Sequence, residues 1–243
     1  VKKGPAGIPL LGINDALSCR IVERINRFTV KIERGGKMSQ AHITNSGRLN
    51  EFLISDREGF CFETPQTEKT AYRLFAVEEK SLGAVIDTQL QMKALETAQR
   101  RDLLPWLSGA DLVRRNPRMG GSLLDFLFER QGKPVYVEVK SAVLREGKFA
   151  MYPDCPTLRG QRHVEELMRW VKTGGSAYLV FVAALPFVAA FKPNRGADPR
   201  LYALLEDAKD LGVEMKALGL YFRPDDSSLC LYDPDLQVVI PGH

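Results

Sequence analysis

Long apolar runs are missing from this chain: none of its 243 residues belongs to a stretch near the roughly 18 consecutive apolar residues that a spanning helix needs. That excludes a helical membrane protein and leaves no membrane partner to expect. Closely spaced cysteines are missing as well. The four present, Cys19, Cys61, Cys155 and Cys230, form no C-x-x-C pair, so neither a structural zinc site nor a compact disulfide framework is expected. Reduced thiols point to the cytoplasm. Ile8-Pro9-Leu10-Leu11 is too brief for the apolar core of a secretory leader, and residues 1–16 read as a tail. There is no internal repeat, no low-complexity segment and little charge imbalance: 34 Lys/Arg against 30 Asp/Glu give a net charge of +4. The surplus is local, since residues 1–75 hold 12 basic and 8 acidic side chains and the remainder holds 22 of each. Such a surplus is a modest signal for a polyanionic partner.

What is present divides the chain in two near residue 86. From Leu17 to Val85 short β-strands dominate. Ser18 to Ile25 and Phe28 to Glu33 are separated by Asn26-Arg27, and the second ends at the turn Arg34-Gly35-Gly36-Lys37. Phe28, Val30 and Ile32 share one face of their strand and Thr29, Lys31 and Glu33 the other, the period of a half-buried strand. Met38 to Ile43, Asn50 to Ile54, Gly59 to Glu63 and Tyr72 to Glu78 are further strands. That number in under 90 residues predicts a small barrel over 17–86. An OB-like barrel leads by size, although strand counting does not separate it from an SH3-like one.

Beyond Gly83 the pattern is mixed, which makes the whole an α+β chain of two domains. Leu90, Ala94, Leu95, Ala98 and Leu103 predict a helix over Thr88 to Leu104, capped by Asp87 or Thr88. Ser122 to Glu129 and Val135 to Lys140 read as two strands of a short hairpin, and a third is expected near Lys148 to Tyr152. A helix over Leu158 to Lys172, a strand over Ala177 to Ala184, a helix over Pro199 to Leu211 and a strand over Val213 to Phe222 complete residues 87–243.

Chemistry concentrates in Asp125 and in Glu138-Val139-Lys140. On a strand Glu138 and Lys140 point together, while Val135, Val137 and Val139 point to the opposite side. A carboxylate and an ammonium in mid-strand are rarely buried unless they are paired or bound to a metal. The hairpin brings Asp125 beside Glu138, and two adjacent carboxylates repel unless a proton or cation joins them. Mg²⁺, or Mn²⁺ in its place, suits two carboxylates with water and a substrate phosphate. Asp125 and Glu138 are therefore the candidate metal ligands and catalytic residues. Lys140 is the group that orients or helps deprotonate a water, or stabilises charge on a phosphate.

The order helix, three strands, helix, strand with an upstream Asp and E-x-K resembles the PD-(D/E)XK nuclease superfamily over Asp87 to Ala184, with Leu124 where the superfamily's named proline stands. Several segments taken together resemble the sugar fermentation stimulation protein A (SfsA) family: Tyr136 to Ser141, Tyr152 to Leu167, Asn45-Ser46-Gly47-Arg48-Leu49 and Ser122 to Leu127. The match runs from Cys19 to Leu236. Val143, Cys155 and Met92 stand where the family more often has Thr, Ala and Asn. The resemblance implies an N-terminal OB-like barrel, a C-terminal PD-(D/E)XK nuclease-like α/β domain, DNA as partner and a role in regulating sugar (maltose) metabolism. Whether DNA is cleaved by a metal-dependent phosphodiesterase, or only bound on a nuclease scaffold, stays open at this point, as does the oligomeric state.

The superfamily resemblance adds Glu96, an acidic residue of the first helix, as a further candidate metal ligand, against a plain exposed Glu. It also adds Gln161, at the start of the second core helix, as a polar catalytic residue, ahead of His163, which is weighed as a metal or phosphate ligand but reads rather as a hydrogen-bonded, partly buried histidine. Asp154 and Thr157 read as loop-shaping and helix-capping. Asn45, Ser46 and Arg48 form a small polar loop with a cation that suits phosphate contact. Arg20, Arg24, Arg27 and Lys31 would extend it into a basic face, with Phe28 or Phe52 for base stacking and Arg159 contributed from the second domain.

Overall fold

The computed structural model describes residues 7–65 and 69–240. Residues 1–6 of the expected tail and the last three residues of the second domain lie outside that range. Part of the tail is not one: β1 (Ile8–Gly12) pairs antiparallel with Ser228–Asp233 of the second domain, with a register irregularity between Pro9 and Leu11. Gly and Pro, which make this segment look like a linker, are tolerated in such a strand at the edge of a sheet.

The alternation in the first third closes on itself. β2 (Leu17–Asn26), β3 (Thr29–Arg34), β4 (Lys37–His42), β5 (Glu58–Glu63) and β6 (Tyr72–Glu79) pair antiparallel in the order β4-β3-β2-β5-β6. A short parallel pairing of Ala41 with Tyr72 and His42 with Arg73 joins β4 to β6 and completes a five-stranded barrel of the OB-like kind. Ile21, Val30, Ile32, Ala41 and Leu74 fill it and are fully buried. The strand expected over Asn50 to Ile54 is absent. There the backbone turns, with the amides of Phe52 and Leu53 both donating to the Leu49 carbonyl at 3.0 and 2.9 Å.

β7 (Leu82–Val85) folds back on β6 and leads out of the barrel, meeting the second domain where Gly83 pairs with Phe222. A Cβ on Gly83 would stand 2.9 Å from that of Phe222, so the two domains abut through a position that has no room for a side chain. α1 (Thr88–Arg100) follows. Asp87 caps it, its Oδ1 accepting from Leu90 N at 2.8 Å, and the same fully buried carboxylate binds Arg73 of β6 through both oxygens. A cap and a cross-domain ion pair on one side chain tie the start of α1 to the barrel.

The second domain continues with β8 (Asp111–Arg115), the small hairpin β9 (Arg118–Met119) and β10 (Ser122–Leu123), then β11 (Phe126–Arg130), β12 (Lys133–Ser141), β13 (Leu144–Glu146) and β14 (Phe149–Tyr152). After α2 (Leu158–Lys172) come β15 (Ser176–Ala183), β16 (Ala190–Pro193), α3 (Pro199–Asp210), β17 (Glu214–Arg223), β18 (Ser228–Asp233) and β19 (Gln237–Val238). The main sheet runs β7-β17-β15-β12-β11-β8, with β12, β15 and β17 parallel to one another. This corrects the expected three core strands. The strand over Lys148 to Tyr152 exists as β14 but sits in a separate sheet, β13-β14-β16-β19, and β8 takes the third place beside β11. The near-continuous apolar run of β15 is buried because helices or the side sheet cover a parallel strand on both faces.

Candidate active site

β12 lies between β11 and β15, in the interior of the main sheet. Val135 and Val137 are buried on one side, while Glu138 and Lys140 are buried on the other with 2% and 8% exposure. Lys140 Nζ donates to Glu138 Oε1 at 2.7 Å. A second partner reaches the same oxygen, His163 Nδ1 from α2. Glu138 Oε2 is buried with no hydrogen-bond partner.

Asp125 stands just before β11. β11 leaves the ladder after Phe126 pairs with Val137, so the amide of Val139 has no backbone acceptor on that side. Asp125 Oδ2 takes its place and accepts from Val139 N at 2.7 Å, while the Asp125 carbonyl accepts from Asn116 N at 3.0 Å. The upstream carboxylate is thus fixed beside E-x-K by backbone bonds. Burial, and after it the charge of Glu138, push the Asp125 carboxyl up to about 7, against the pull of the Val139 amide and Lys140. Burial would push Glu138 up too, but Lys140 and His163 outweigh it and hold this carboxyl below its usual range. Lys140 stays a cation for the complementary reason: burial opposes its charge, and Glu138 more than restores it.

These groups line a cavity of about 320 Å³ at the seam of the two domains. One wall is the barrel segment Thr44 to Gly47 with Arg27, and another is the loop from Tyr152 to Thr157 with Arg159. The first wall is bound to the second domain. Asn45 Nδ2 donates to Ser141 Oγ at 3.3 Å, Thr88 N to Thr44 Oγ1 at 2.9 Å and Leu49 N to Asp154 Oδ2 at 3.1 Å. Gly47 lies so close to Asp154 that a Cβ there would stand 2.6 Å from Oδ2.

The structure brings Asp125, Glu138, Lys140, Asn45, Ser46, Arg27 and Arg159 to this cavity, with Arg48 on a smaller adjoining one. Several expectations need correction in placement. Glu96 is bound to Arg115 through both carboxylate oxygens, which lowers its pKa, and it does not line the cavity. Gln161 points to α3, where its Nε2 donates to both oxygens of Asp198 at 3.0 and 3.1 Å. Arg20 donates to the Asp56 carbonyl and borders a different depression with Glu33 and Glu58, and Lys31 pairs with Glu23 at 3.5 Å. Of the two phenylalanines only Phe28 is exposed; Phe52 is buried under the Arg57 guanidinium. Arg24 braces the loop from beneath, donating to the carbonyls of Asn26, Arg27 and Arg48.

Tyr152 was not singled out as a site residue by the sequence reasoning, and His163 was weighed as a metal or phosphate ligand but placed behind Gln161. The signal for His163 was its spacing: it shares the buried face of α2 with Gly160, Val164 and Leu167, whereas Gln161 and Glu165 face α3. Arg159 Nε donates to His163 Nε2 at 3.4 Å, so the ring is held from both sides. Tyr152 lines the cavity, and burial pushes its phenol up while nearby Lys140 pulls it down.

A closed five-stranded barrel followed by an α/β sheet that carries two carboxylates and a lysine at its centre defines an OB domain joined to a restriction-endonuclease-like domain. The family models divide the chain in the same way: the SfsA N-terminal OB domain matches residues 22–86 and the sugar fermentation stimulation protein RE domain matches residues 89–226. The chain belongs to the SfsA family. It is 46% identical over 215 residues to the sugar fermentation stimulation protein homolog of Pyrococcus furiosus, covering 88% of this chain and 93% of the relative. With the homolog of Archaeoglobus fulgidus it shares 44% identity, covering 95% and 99%. The solved structure of Pyrococcus furiosus SfsA in complex with Ca²⁺ superimposes with a TM-score of 0.92 at 42% identity, covering 96% of this chain and all of that one. No helix among the described residues is long and apolar enough to cross a membrane.

Proposed function

We propose that this protein binds DNA and hydrolyses its phosphodiester bonds at the Asp125–Glu138–Lys140 cavity with a divalent cation, Mg²⁺ or Mn²⁺. The observation that carries the reading is Glu138 Oε2, a buried carboxylate oxygen without a partner, next to an Asp125 carboxyl that Glu138 helps push up to about 7. A bare carboxylate oxygen in the interior is costly, and a cation between the two groups relieves both the missing bond and the repulsion. The Ca²⁺ complex of the Pyrococcus relative supports a divalent site in this family.

When bound, the cation supplies Lewis-acid polarisation of a phosphate oxygen and a water of lowered pKa. The chain's own residues do the rest. Lys140, kept charged by Glu138, has no free pair with which to act as a base, so it acts as a cation and donor toward charge developing on the phosphate. His163 and Lys140 together fix Glu138 Oε1, which leaves Oε2 as the free oxygen. Arg27, Ser46 and Arg159 at the cavity walls offer donors to the nucleic-acid backbone. The membership of a family named for sugar fermentation supports a link to sugar metabolism through DNA binding.

The test is incubation of purified protein with single- and double-stranded DNA in Mg²⁺ or Mn²⁺, beside Asp125→Ala and Lys140→Ala. Cleavage abolished by both substitutions supports the site. Cleavage that survives both removes it, and salt-sensitive binding without cleavage makes the domain a DNA-binding scaffold.

A further inference from the structure

We infer that the cavity receives one unpaired nucleotide, a strand end or a base turned out of its stack, and excludes the intact duplex. This rests on the nucleic-acid reading above. The reactive groups lie on the floor of a recess: Glu138 is 2% and Lys140 8% exposed. A recess of about 320 Å³ is of the size of clefts that hold one small ligand, which suits a single nucleotide better than two paired strands. A nucleotide that has left the helix can carry its phosphate between the two walls to the floor, whereas a phosphate held in a duplex stays with its stacked and paired neighbours at the rim.

Both walls are fixed in place. Asn45, Leu49 and Gly47 are bonded to or packed against Ser141 and Asp154 of the second domain. Across from them the Pro153 carbonyl accepts from Asn194 Nδ2 at 3.0 Å, and Thr157 N donates to Asp198 Oδ2 at 2.9 Å. Opening the recess for a duplex would break several of these bonds at once. The rim suits a single strand. Arg27 and Arg159, one from each domain, are exposed at the cavity, and Ser46 offers an exposed hydroxyl between small neighbours. Beside Arg27 the ring of Phe28 is exposed, with the Arg27 guanidinium 5.4 Å from its centroid, a cation and a stacking surface in one place.

Cys155 reports occupancy without any need for cleavage. It lines the cavity and is only partly buried, whereas Cys19, Cys61 and Cys230 are buried. The rate at which a maleimide labels Cys155 is measured with and without oligonucleotide, while fluorescence anisotropy establishes that each oligonucleotide is bound; Cys155→Ser shows that the label reports this thiol. A single strand and a duplex with an overhang should slow labelling roughly tenfold or more at saturation, whereas a blunt GC-ended duplex bound to the same extent should not. A duplex with a central mismatch identifies the extruded base as a second source if it protects as well. Equal protection by the blunt duplex, or no protection by any bound oligonucleotide, overturns the inference and leaves DNA binding standing. Failure of every oligonucleotide to bind overturns the nucleic-acid reading itself.

Discussion

Glu138 and Lys140, two residues apart on β12, form an ion pair of 2.7 Å in the interior of the second domain. Replacing one member leaves the other charge buried, which costs about 3–5 kcal/mol. Lys140→Met is therefore expected to lower stability by about that much in chemical denaturation, and Glu138→Gln likewise. The double variant Glu138→Gln/Lys140→Met should be less destabilised than the sum of the two, by well over 1 kcal/mol in the cycle. Additive effects would show that the pair does not couple.

Asp125 makes metal-free stability depend on pH. Its folded value of about 7 lies above the usual 3.8, so between these values the folded state holds more protons than the unfolded one, and stability falls as pH rises from about 4 to about 7. Glu138 is shifted downward and works in the opposite sense only at more acidic pH. Asp125→Asn keeps an acceptor for Val139 N and is expected to flatten the slope and raise metal-free stability at pH 8 by on the order of 1–3 kcal/mol. Thermal melts of both proteins across this range check it; an unchanged slope would mean that Asp125 titrates normally.

His163 and Gln161 separate by function although they are two residues apart. His163 holds Glu138, the carboxylate proposed to meet the cation, and its loss is expected to weaken Mn²⁺ affinity roughly 10–100-fold. Gln161 holds Asp198, so Gln161→Ala should cost about 1–2 kcal/mol of stability and leave Mn²⁺ affinity unchanged. Glu96→Ala should leave it unchanged as well. Calorimetric titration of the three variants with Mn²⁺ reads the affinities, and chemical denaturation of Gln161→Ala reads its stability.

Gly47 is expected to be the intolerant position of the barrel loop. Gly47→Ala places a methyl group 2.6 Å from Asp154 Oδ2, and relieving the overlap costs about 1–3 kcal/mol or moves the loop off the second domain. Shortening the opposing side chain in Gly47→Ala/Asp154→Ala should recover part of the Gly47→Ala loss, as measured by unfolding. No recovery would show that the close approach is not what fixes the loop.

Much of this was legible in the sequence where pattern and packing agree. α2 begins and ends where its spacing and Thr157 cap indicate, and E-x-K on a valine-rich strand marked Glu138 and Lys140. β8 was not legible because Asp111-Leu-Val-Arg-Arg is a mostly exposed edge strand with no apolar alternation. β14 was visible as a strand, but its sheet is set by a parallel partner, β16, some forty residues later. The site residues divide in the same way. Asp125 was placed by a hairpin, a local device, whereas the choice between Gln161 and His163 depends on which face of α2 meets β12 and which meets α3. Glu96 drew attention as a carboxylate on α1, and Arg115, on the unforeseen β8, claims it. The basic surplus of the barrel was real, yet only its loop-side members reach the cavity, because Arg20 and Lys31 have partners elsewhere.

The most direct test of the metal-site account is a crystal of this protein soaked in Mn²⁺ and measured for anomalous scattering. The account predicts a peak within coordination distance of Glu138 Oε2 and an Asp125 carboxylate oxygen, lost in Asp125→Ala crystals soaked in the same way. A cavity without anomalous density, or a peak bound only elsewhere on the molecule, would contradict it.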